Sequence, residues 1–539
     1  MVETQGKLGV MIDCSRNAVM SASGLKRFID VICKMGYDRL LLYMEDVYEI
    51  EGEPLFGYMR GRYSKSELKE LDEYALSKGI ELVPCIQTLA HLNQIFSWGT
   101  YAKINDVNDI LLVGEERTYR LIDRMLKTCF ECFSTKSIHI GMDEAHMLGL
   151  GKYLDKHGYT DRNELFLQHL NKVCDMAVNY GFKPMIWSDM FFHLAFGQYY
   201  VKDGEIPKWV REKVPKCVEL VYWDYYSEDK DLYFSMIEKH LAFDNPVSFA
   251  GGAWKWACFT PINGYSIPKT ELALRACNQY GIKDRMITLW GDDGNECPAY
   301  AVLPTLMYFA ECSRGNYDLE NVKQKFNELF EENFDDFILL DLRFPDNFQK
   351  KSPESNGAKA MFYCDPFIGK YDSAVYGTGA ERKQYELFAE QIREAKKRSK
   401  NYGYIFELYE KLCDFLSVKY DLGYRSREAY QAKDKKTLRA LVDDYQKAEE
   451  KLEIFHKAFQ KTWYQDNKPS GFDVQELRIG GLLLRLKSCQ ERIEKYLSGE
   501  ITQIEELEVK LVDYYGGTEL EKTIPICWGA AHASTVNRR

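Results

Sequence analysis

No run of about 18 apolar residues occurs in the 539-residue chain, so no membrane-spanning helix is expected. The first residues, Met1 to Lys7, carry no apolar core, so no secretory signal is expected. A surplus of positive charge is missing too. The formal net charge is -11, which argues against a nucleic-acid partner, because a phosphate backbone needs a basic face. Neither a G-x-G-x-x-G turn nor a Walker sequence is present, which removes the usual dinucleotide and nucleoside triphosphate sites. The 15 cysteines are odd in number and scattered, many inside apolar runs, as reduced thiols in a cytoplasmic protein would be. Cys129-x-x-Cys132 lies in a helical pattern without a second pair, so no zinc site is expected there.

What the chain has in abundance is aromatic residues, 14% of the total, including 37 Tyr and 9 Trp. Such a surplus suits a pocket that stacks on flat ligand faces. Short apolar runs alternate with amphipathic stretches up to about residue 315. The runs near residues 8–13, 39–44, 81–86, 137–140, 183–187, 218–223, 246–250 and 284–290 read as strands. Between them lie helical patterns, one opened by a Ser64/Glu67 capping box and another spanning Pro268 to Tyr280. Eight strand–helix units in about 300 residues predict an α/β fold, a (β/α)8 TIM barrel. The barrel is expected over residues 1–340. A helical C-terminal domain is expected over 341–539, beginning with an irregular connecting segment at about 341–380. In that domain Leu441, Tyr445, Ala448, Leu452, Phe455 and Phe459 form a stripe at helical spacing, which fits packing within the chain or across a homodimer. Leu477–Leu497 reads as a helix interrupted by Gly480-Gly481.

Barrel enzymes place their chemistry at the C-terminal ends of strands. The fourth strand ends in Asp143-Glu144. Adjacent carboxylates at the end of a buried strand repel each other and lose hydration, which raises one carboxyl pKa. The dipeptide taken alone also fits a solvated acidic turn. The other strand ends decide between the two: Arg16 follows the first, Gln87 and His91 the third, Trp187 and Asp189 the fifth, Trp223 and Tyr225 the sixth, Trp254 and Trp256 the seventh, and Trp290, Asp292 and Glu296 the eighth. Tryptophans with carboxylates at one barrel face suit a sugar ring, with its apolar faces and hydroxyl edges.

His139-Ile140-Gly141-Met142-Asp143-Glu144 resembles the H-x-G-x-D-E signature of glycoside hydrolase family 20, the β-N-acetylhexosaminidases. Arg16, the tryptophans and Trp290-Gly291-Asp292 resemble that family as well. Lys468-Pro469-Ser470-Gly471-Phe472-Asp473-Val474 is similar to a subgroup whose barrel carries a helical domain. The resemblance implies an exo-acting enzyme that removes terminal β-linked GlcNAc or GalNAc from oligosaccharides by retaining, substrate-assisted catalysis, without metal or cofactor. It implies Glu144 as general acid/base and Asp143 as the residue that orients the 2-acetamido group. Arg16, His91, Trp187, Trp223, Tyr225, Trp254, Trp290, Asp292 and Glu296 are the expected substrate-binding residues. The family's tyrosine after the seventh strand has no counterpart in Gly251-Gly252-Ala253-Trp254-Lys255-Trp256, so Tyr225 is the expected donor to the acetamido oxygen, with Tyr43 second. Two other readings remain: a sugar-binding protein without turnover, and a metal-dependent barrel hydrolase that uses Asp143, Glu144, His139 and His146 as ligands.

Overall fold

The alternation within each apolar run separates two cores. Val10 and Ile12, or Leu40 and Leu42, face outward into the layer of helices, whereas Met11 and Leu41 face a separate inner cluster. This period-two division closes the sheet on itself. The computed structural model, in which residues 6–343, 357–373, 379–514, 516 and 527–532 are described, contains a closed eight-stranded parallel barrel. Its strands are β1 (Leu8–Asp13), β2 (Arg39–Tyr43), β3 (Glu81–Cys85), β4 (Ser137–His139), β5 (Lys183–Trp187), β6 (Glu219–Trp223), β7 (Val247–Gly252) and β8 (Arg285–Leu289). β1 pairs with β2 at Gly9–Arg39 and with β8 at Leu8–Arg285, which closes the ring. The inner cluster runs upward from Met11, Val83 and Met286 into Trp187, Trp254, Trp256 and Trp290. The lumen is therefore a packed core that turns aromatic at its C-terminal mouth.

The capping box forms as expected: Ser64 accepts from the Glu67 amide and the Glu67 carboxylate accepts from the Ser64 amide. Two helices differ from expectation. The helix expected from Pro268 begins at Asn263 and runs to Tyr280 with Pro268 inside it. The Asn263 and Gly264 amides, 3.0 and 2.7 Å from the Asp341 carboxylate, are capped from 78 and 77 residues away, a contact that no local pattern reveals. The helix Phe472–Ser498 passes through Gly480 and Gly481 without a break, because its buried face, which includes Ile479, Leu482, Leu486 and Ile493, outweighs the glycine penalty of about 1 kcal/mol per residue.

In the helical part, the stripe from Leu441 to Phe459 is buried along Lys435–Asp466, packed within the chain against Gly403–Lys419 and Phe472–Ser498. Residues 344–356 and 374–378 of the expected connecting segment at 341–380 lie outside the described residues. The described part includes a helix, Gly357–Tyr363.

Two of the places where the helices reach the mouth of the barrel bear on the site. After the long helix, Lys468 N–H donates to Val19 O at 2.7 Å, and Asn17 Nδ2 donates to Gly471 O at 2.7 Å. Gly471 sits at φ +94°, and a Cβ there would lie 2.3 Å from Asn17 O, so only glycine allows this approach. The second place is the loop after β8. Asp293 and Glu296 are gripped by Lys359, from Gly357–Tyr363, and by Arg478, from Phe472–Ser498. Lys359 Nζ lies 2.6 Å from Asp293 Oδ2 and also pairs with Glu296, while Arg478 Nη1 lies 3.0 Å from Glu296 Oε1. Lys359 is fully buried. Replacing it with Met should leave the buried Glu296 and the half-buried Asp293 short of a cation and lower stability by about 3–5 kcal/mol. Urea unfolding at neutral pH measures this, and a change within about 0.5 kcal/mol would contradict it.

Candidate active site

The signature segment is held in an unusual backbone. Gly141, Met142 and Glu144 all have positive φ, at +73°, +74° and +53°. Such strain collects at functional sites. Gln87 from the end of β3 explains the glycine: a Cβ on Gly141 would lie 2.1 Å from Gln87 Oε1. That oxygen accepts from the Met142 amide at 3.1 Å. The Gln87 side-chain nitrogen donates to Asp143 Oδ1 at 2.7 Å and to the Tyr43 hydroxyl at 2.9 Å. One side chain thus fixes both the turn and the carboxylate.

Asp143 is buried, and its second oxygen lies 3.1 Å from His91 Nε2, an ion-pair contact rather than an aligned hydrogen bond. Burial alone would raise the Asp143 pKa. The imidazolium of His91 and the Gln87 bond overcome it and hold the carboxyl well below its usual range. For His91, burial opposes charge, but the Asp143 carboxylate raises its pKa to about 10. His91 is kept at φ +57°, with its amide donating to Asp109 Oδ2 at 2.9 Å. Glu144 behaves in the opposite way. Its side chain is 49% exposed and reaches within 3.6 Å of His91 Nε2. Burial and then the Asp143 charge push its pKa upward. Its amide donates at 2.9 Å to Asp189 Oδ2, and the fully buried Asp189 also accepts from Trp223 Nε1 at 3.4 Å. Burial first, and Asp143 second, raise the Asp189 pKa strongly.

Across the pocket, Arg16 is held by three carboxylates: Glu45 at 3.3 Å, Asp292 at 3.3 Å and Asp13 at 3.5 Å. Its guanidinium lies over Tyr43 and Trp290, 4.8 and 5.1 Å from the ring centroids. Asp13 also accepts from the Gly291 amide at 3.0 Å, which ties the end of β1 to the end of β8. Trp187, Trp223, Tyr225, Tyr226, Trp256 and Trp290 complete a pocket of about 110 Å³ with Arg16, His91, Asp143, Glu144 and Asp292. Tyr225 is stacked on Trp223 at 5.3 Å and accepts from Trp290 Nε1 at 3.0 Å. That bond uses a lone pair of the hydroxyl, and Thr288 is its other hydrogen-bond neighbour.

Residues 8–266 match the family model described as "Glycosyl hydrolase family 20, catalytic domain", and residues 335–525 match "Glycoside Hydrolase 20C C-terminal domain". The chain belongs to glycoside hydrolase family 20. Among curated proteins it is similar to Hexosaminidase D of Homo sapiens, 26% identical over 253 residues, which cover 45% of this chain and 50% of that protein. Hexosaminidase D of Bos taurus is 26% identical over 234 residues, 41% of this chain and 62% of that one. The chain spans about half the length of the human relative. Among solved structures, a β-N-acetylhexosaminidase from Bacteroides fragilis aligns with 18% identity and a TM-score of 0.46, covering 60% of this chain and 71% of that one.

Within this family 20 chain, seven of the nine expected binding residues line the pocket: Arg16, His91, Trp187, Trp223, Tyr225, Trp290 and Asp292. Two expectations are corrected. Trp254 is 1% exposed and does not reach the pocket surface. It stacks at 3.9 Å behind Trp256, which takes the wall position. Glu296 is 2% exposed and belongs to the ion cluster with Lys359 and Arg478, because those cations from the helical part claim both of its oxygens. His139 is a brace: its Nδ1 accepts from the Gly141 amide at 3.1 Å, its ring lies 4.3 Å from Trp187, and burial lowers its pKa to about 3. His146 packs edge-on against His193. The metal-hydrolase arrangement of these residues is therefore not formed, and among the described residues no three His, Cys, Asp or Glu side chains are grouped to hold an ion. Glu45, Gln87 and Asp189 were not among the expected site residues, although Gln87 and Asp189 stand at the strand ends where such residues were sought.

Proposed function

We propose that the chain is an exo-acting β-N-acetylhexosaminidase that hydrolyses terminal β-linked GlcNAc or GalNAc with retention of configuration, the substrate supplying the nucleophile. One observation carries this reading. Two neighbouring carboxylates are driven apart in acidity, Asp143 held ionised by His91 and Gln87, and Glu144 pushed toward its protonated form. In the first step the acetamido oxygen attacks C1, and the bond from C1 to the leaving oxygen breaks as Glu144 gives that oxygen its proton. Asp143 accepts the acetamido N–H and offsets the positive charge of the oxazolinium ring. Water then attacks C1, loses its proton to Glu144, and the ring opens to the acetamido group. The Tyr225 hydroxyl is the donor assigned to the acetamido oxygen, and Arg16 with Asp292 hold the ring hydroxyls. Holding the acetamido group in place makes the first step intramolecular, worth roughly 7–11 kcal/mol in well-aligned cases.

The names of the curated relatives support the activity. The two matched family segments support a catalytic unit through about residue 340 and a helical unit after it. Buried thiols such as Cys129, Cys277 and Cys413 support a reducing, cytoplasmic setting.

Aryl β-N-acetylglucosaminide, β-N-acetylgalactosaminide and β-glucoside, compared at equal leaving group, test this reading. The glucoside should be cleaved on the order of a thousand-fold more slowly or worse, because it carries no acetamido nucleophile. Equal cleavage of the glucoside would refute substrate assistance. Binding of N-acetylglucosamine without turnover of any aryl glycoside would favour a sugar-binding protein.

A further inference from the structure

Asp189 is a fully buried carboxyl that no step of the proposed reaction uses. It opens the short helix Asp189–Phe196 that follows β5. Burying a carboxyl is costly unless its oxygens find partners, so the partners show what the group is kept for. The groups that act on it most strongly are two carboxylates and two N–H donors, with no cation among them. Both donors belong to the active site: the Glu144 amide, 2.9 Å from Oδ2, and Trp223 Nε1, 3.4 Å from Oδ1. Burial and then the Asp143 charge push the Asp189 pKa strongly upward. The unequal distances fit a neutral carboxyl, with its carbonyl oxygen at the amide and its hydroxyl oxygen at the indole. A neutral carboxyl accepts the amide without setting another negative charge beside Glu144.

The two acids of the pair are held in different ways. Asp143 is gripped through its side chain, by Gln87 and His91. The Glu144 side chain makes no hydrogen bond among the described residues, and its nearest charged contact is His91 Nε2 at 3.6 Å. Its placement therefore comes from its backbone. That backbone sits at φ +53°, a conformation that a residue other than glycine keeps only where its surroundings enforce it. The partner of the Glu144 amide in this turn is Asp189.

Asp189 itself stands on a fixed base. The Ser188 amide donates to Val221 O at 3.2 Å, which joins the end of β5 to β6, and Ser188 Oγ lies 2.7 Å from His240 Nε2. At the other oxygen, Trp223 stacks on Tyr225 with 5.3 Å between ring centroids. One carboxyl thus sets the turn that carries the acid against the wall that carries Tyr225.

We propose that Asp189 is a positioning residue for the general acid: it fixes the Glu144 backbone against Trp223, so that the Glu144 carboxyl meets the leaving oxygen. The proposal rests on the hexosaminidase reading above. Proton transfer to the leaving oxygen needs the acid within hydrogen-bond reach of it, so a small displacement of the turn is felt in the rate.

The test reads one ratio: kcat/KM for an activated aryl β-N-acetylglucosaminide divided by kcat/KM for a glycoside with a poor leaving group. The concentration of folded enzyme cancels from it. Asp189→Leu keeps the bulk of the side chain and removes both acceptors. It should raise the ratio about ten-fold or more, a share of the roughly 10²–10⁴ that a general acid contributes. Asp189→Asn keeps an oxygen for the Glu144 amide and should stay within about three-fold of the wild-type ratio. Asp189→Ala, equally without an acceptor, gives the same reading if D189L does not fold. Glu144→Gln, measured alongside, sets the upper limit. An unchanged ratio in D189L, with both glycosides slowed alike, would overturn the proposal and leave Asp189 a part of the fold alone. A D189N ratio as high as that of D189L would also overturn it, because the retained acceptor would then not be what counts. If E144Q leaves the ratio unchanged, the assignment of Glu144 fails and this proposal with it. A raised ratio in E144Q beside a wild-type ratio in D189L removes this proposal alone.

Discussion

Replacing Glu144 with Gln should lower kcat/KM by about 10²–10⁴-fold for a glycoside with a poor leaving group, and far less for one with an activated aryl group. The reason lies in the two half-reactions. A leaving oxygen of high basicity needs the proton that Glu144 supplies, whereas an activated phenolate departs without it. Removing Asp143 acts on a different quantity. Asp143→Asn takes away the charge opposite the oxazolinium, so it should slow good and poor leaving groups alike. The contrast is the decisive measurement: a plot of log(kcat/KM) against leaving-group pKa steepens for E144Q and keeps its slope for D143N. Parallel lines for all three proteins would contradict the assignment. The pH profile carries the same information. Burial and the Asp143 charge raise the Glu144 pKa, so the wild-type rate should fall on the alkaline side as Glu144 loses its proton. That limb should be absent from E144Q.

The second large effect is expected at Arg16. Its guanidinium neutralises Glu45, Asp13 and Asp292, two of which are buried. Arg16→Met should therefore destabilise the fold by about 3–5 kcal/mol, in addition to weakening substrate binding. The deficit has a pH signature. Burial raises the folded pKa of Glu45 above its ordinary value, and Arg16 is the largest influence opposing this. Without Arg16 the folded state binds a proton that the unfolded chain has already released. Stability of the variant should then fall as pH rises from the unfolded carboxyl value through the elevated folded one, and recover as pH is lowered. Urea midpoints at about pH 5 and pH 8 measure this. The gap between R16M and wild type should be wider at the higher pH, and an equal gap at both would contradict it.

The barrel was legible because each strand is an apolar run with period-two division and each is followed by a helical pattern. The acid pair Asp143-Glu144 was legible for a local reason, two acids at the end of a buried strand. The partners that set its behaviour were harder to see. Glu45 lies beyond β2 beside Asp46, a second pair of adjacent acids after a strand, but no tryptophan marks that loop. Gln87 works by touching Gly141 and Asp143 across the barrel mouth, a contact between strands that sequence order does not display. Trp254 and Trp256 are two residues apart, and a turn at Ala257, φ +56°, follows them. Which ring faces the pocket depends on how that loop folds back, not on spacing. Glu296 was drawn into the expected site by its nearness to the end of β8, while its true partners stand 63 and 182 residues further along. Long-range ion pairs are the class of contact that a linear reading leaves out.

Those same ion pairs bear on the order in which the enzyme becomes competent during synthesis. The loop that presents Trp290 and Asp292 is anchored by Lys359 and Arg478, and the loop after β1 is anchored at Gly471. All eight strands leave the ribosome before any of these three residues has been made. A nascent chain stalled after β8 holds every group of the acid pair and of the aromatic pocket, yet neither loop has its clamp. These clamps are then acquired late, when the last helices dock.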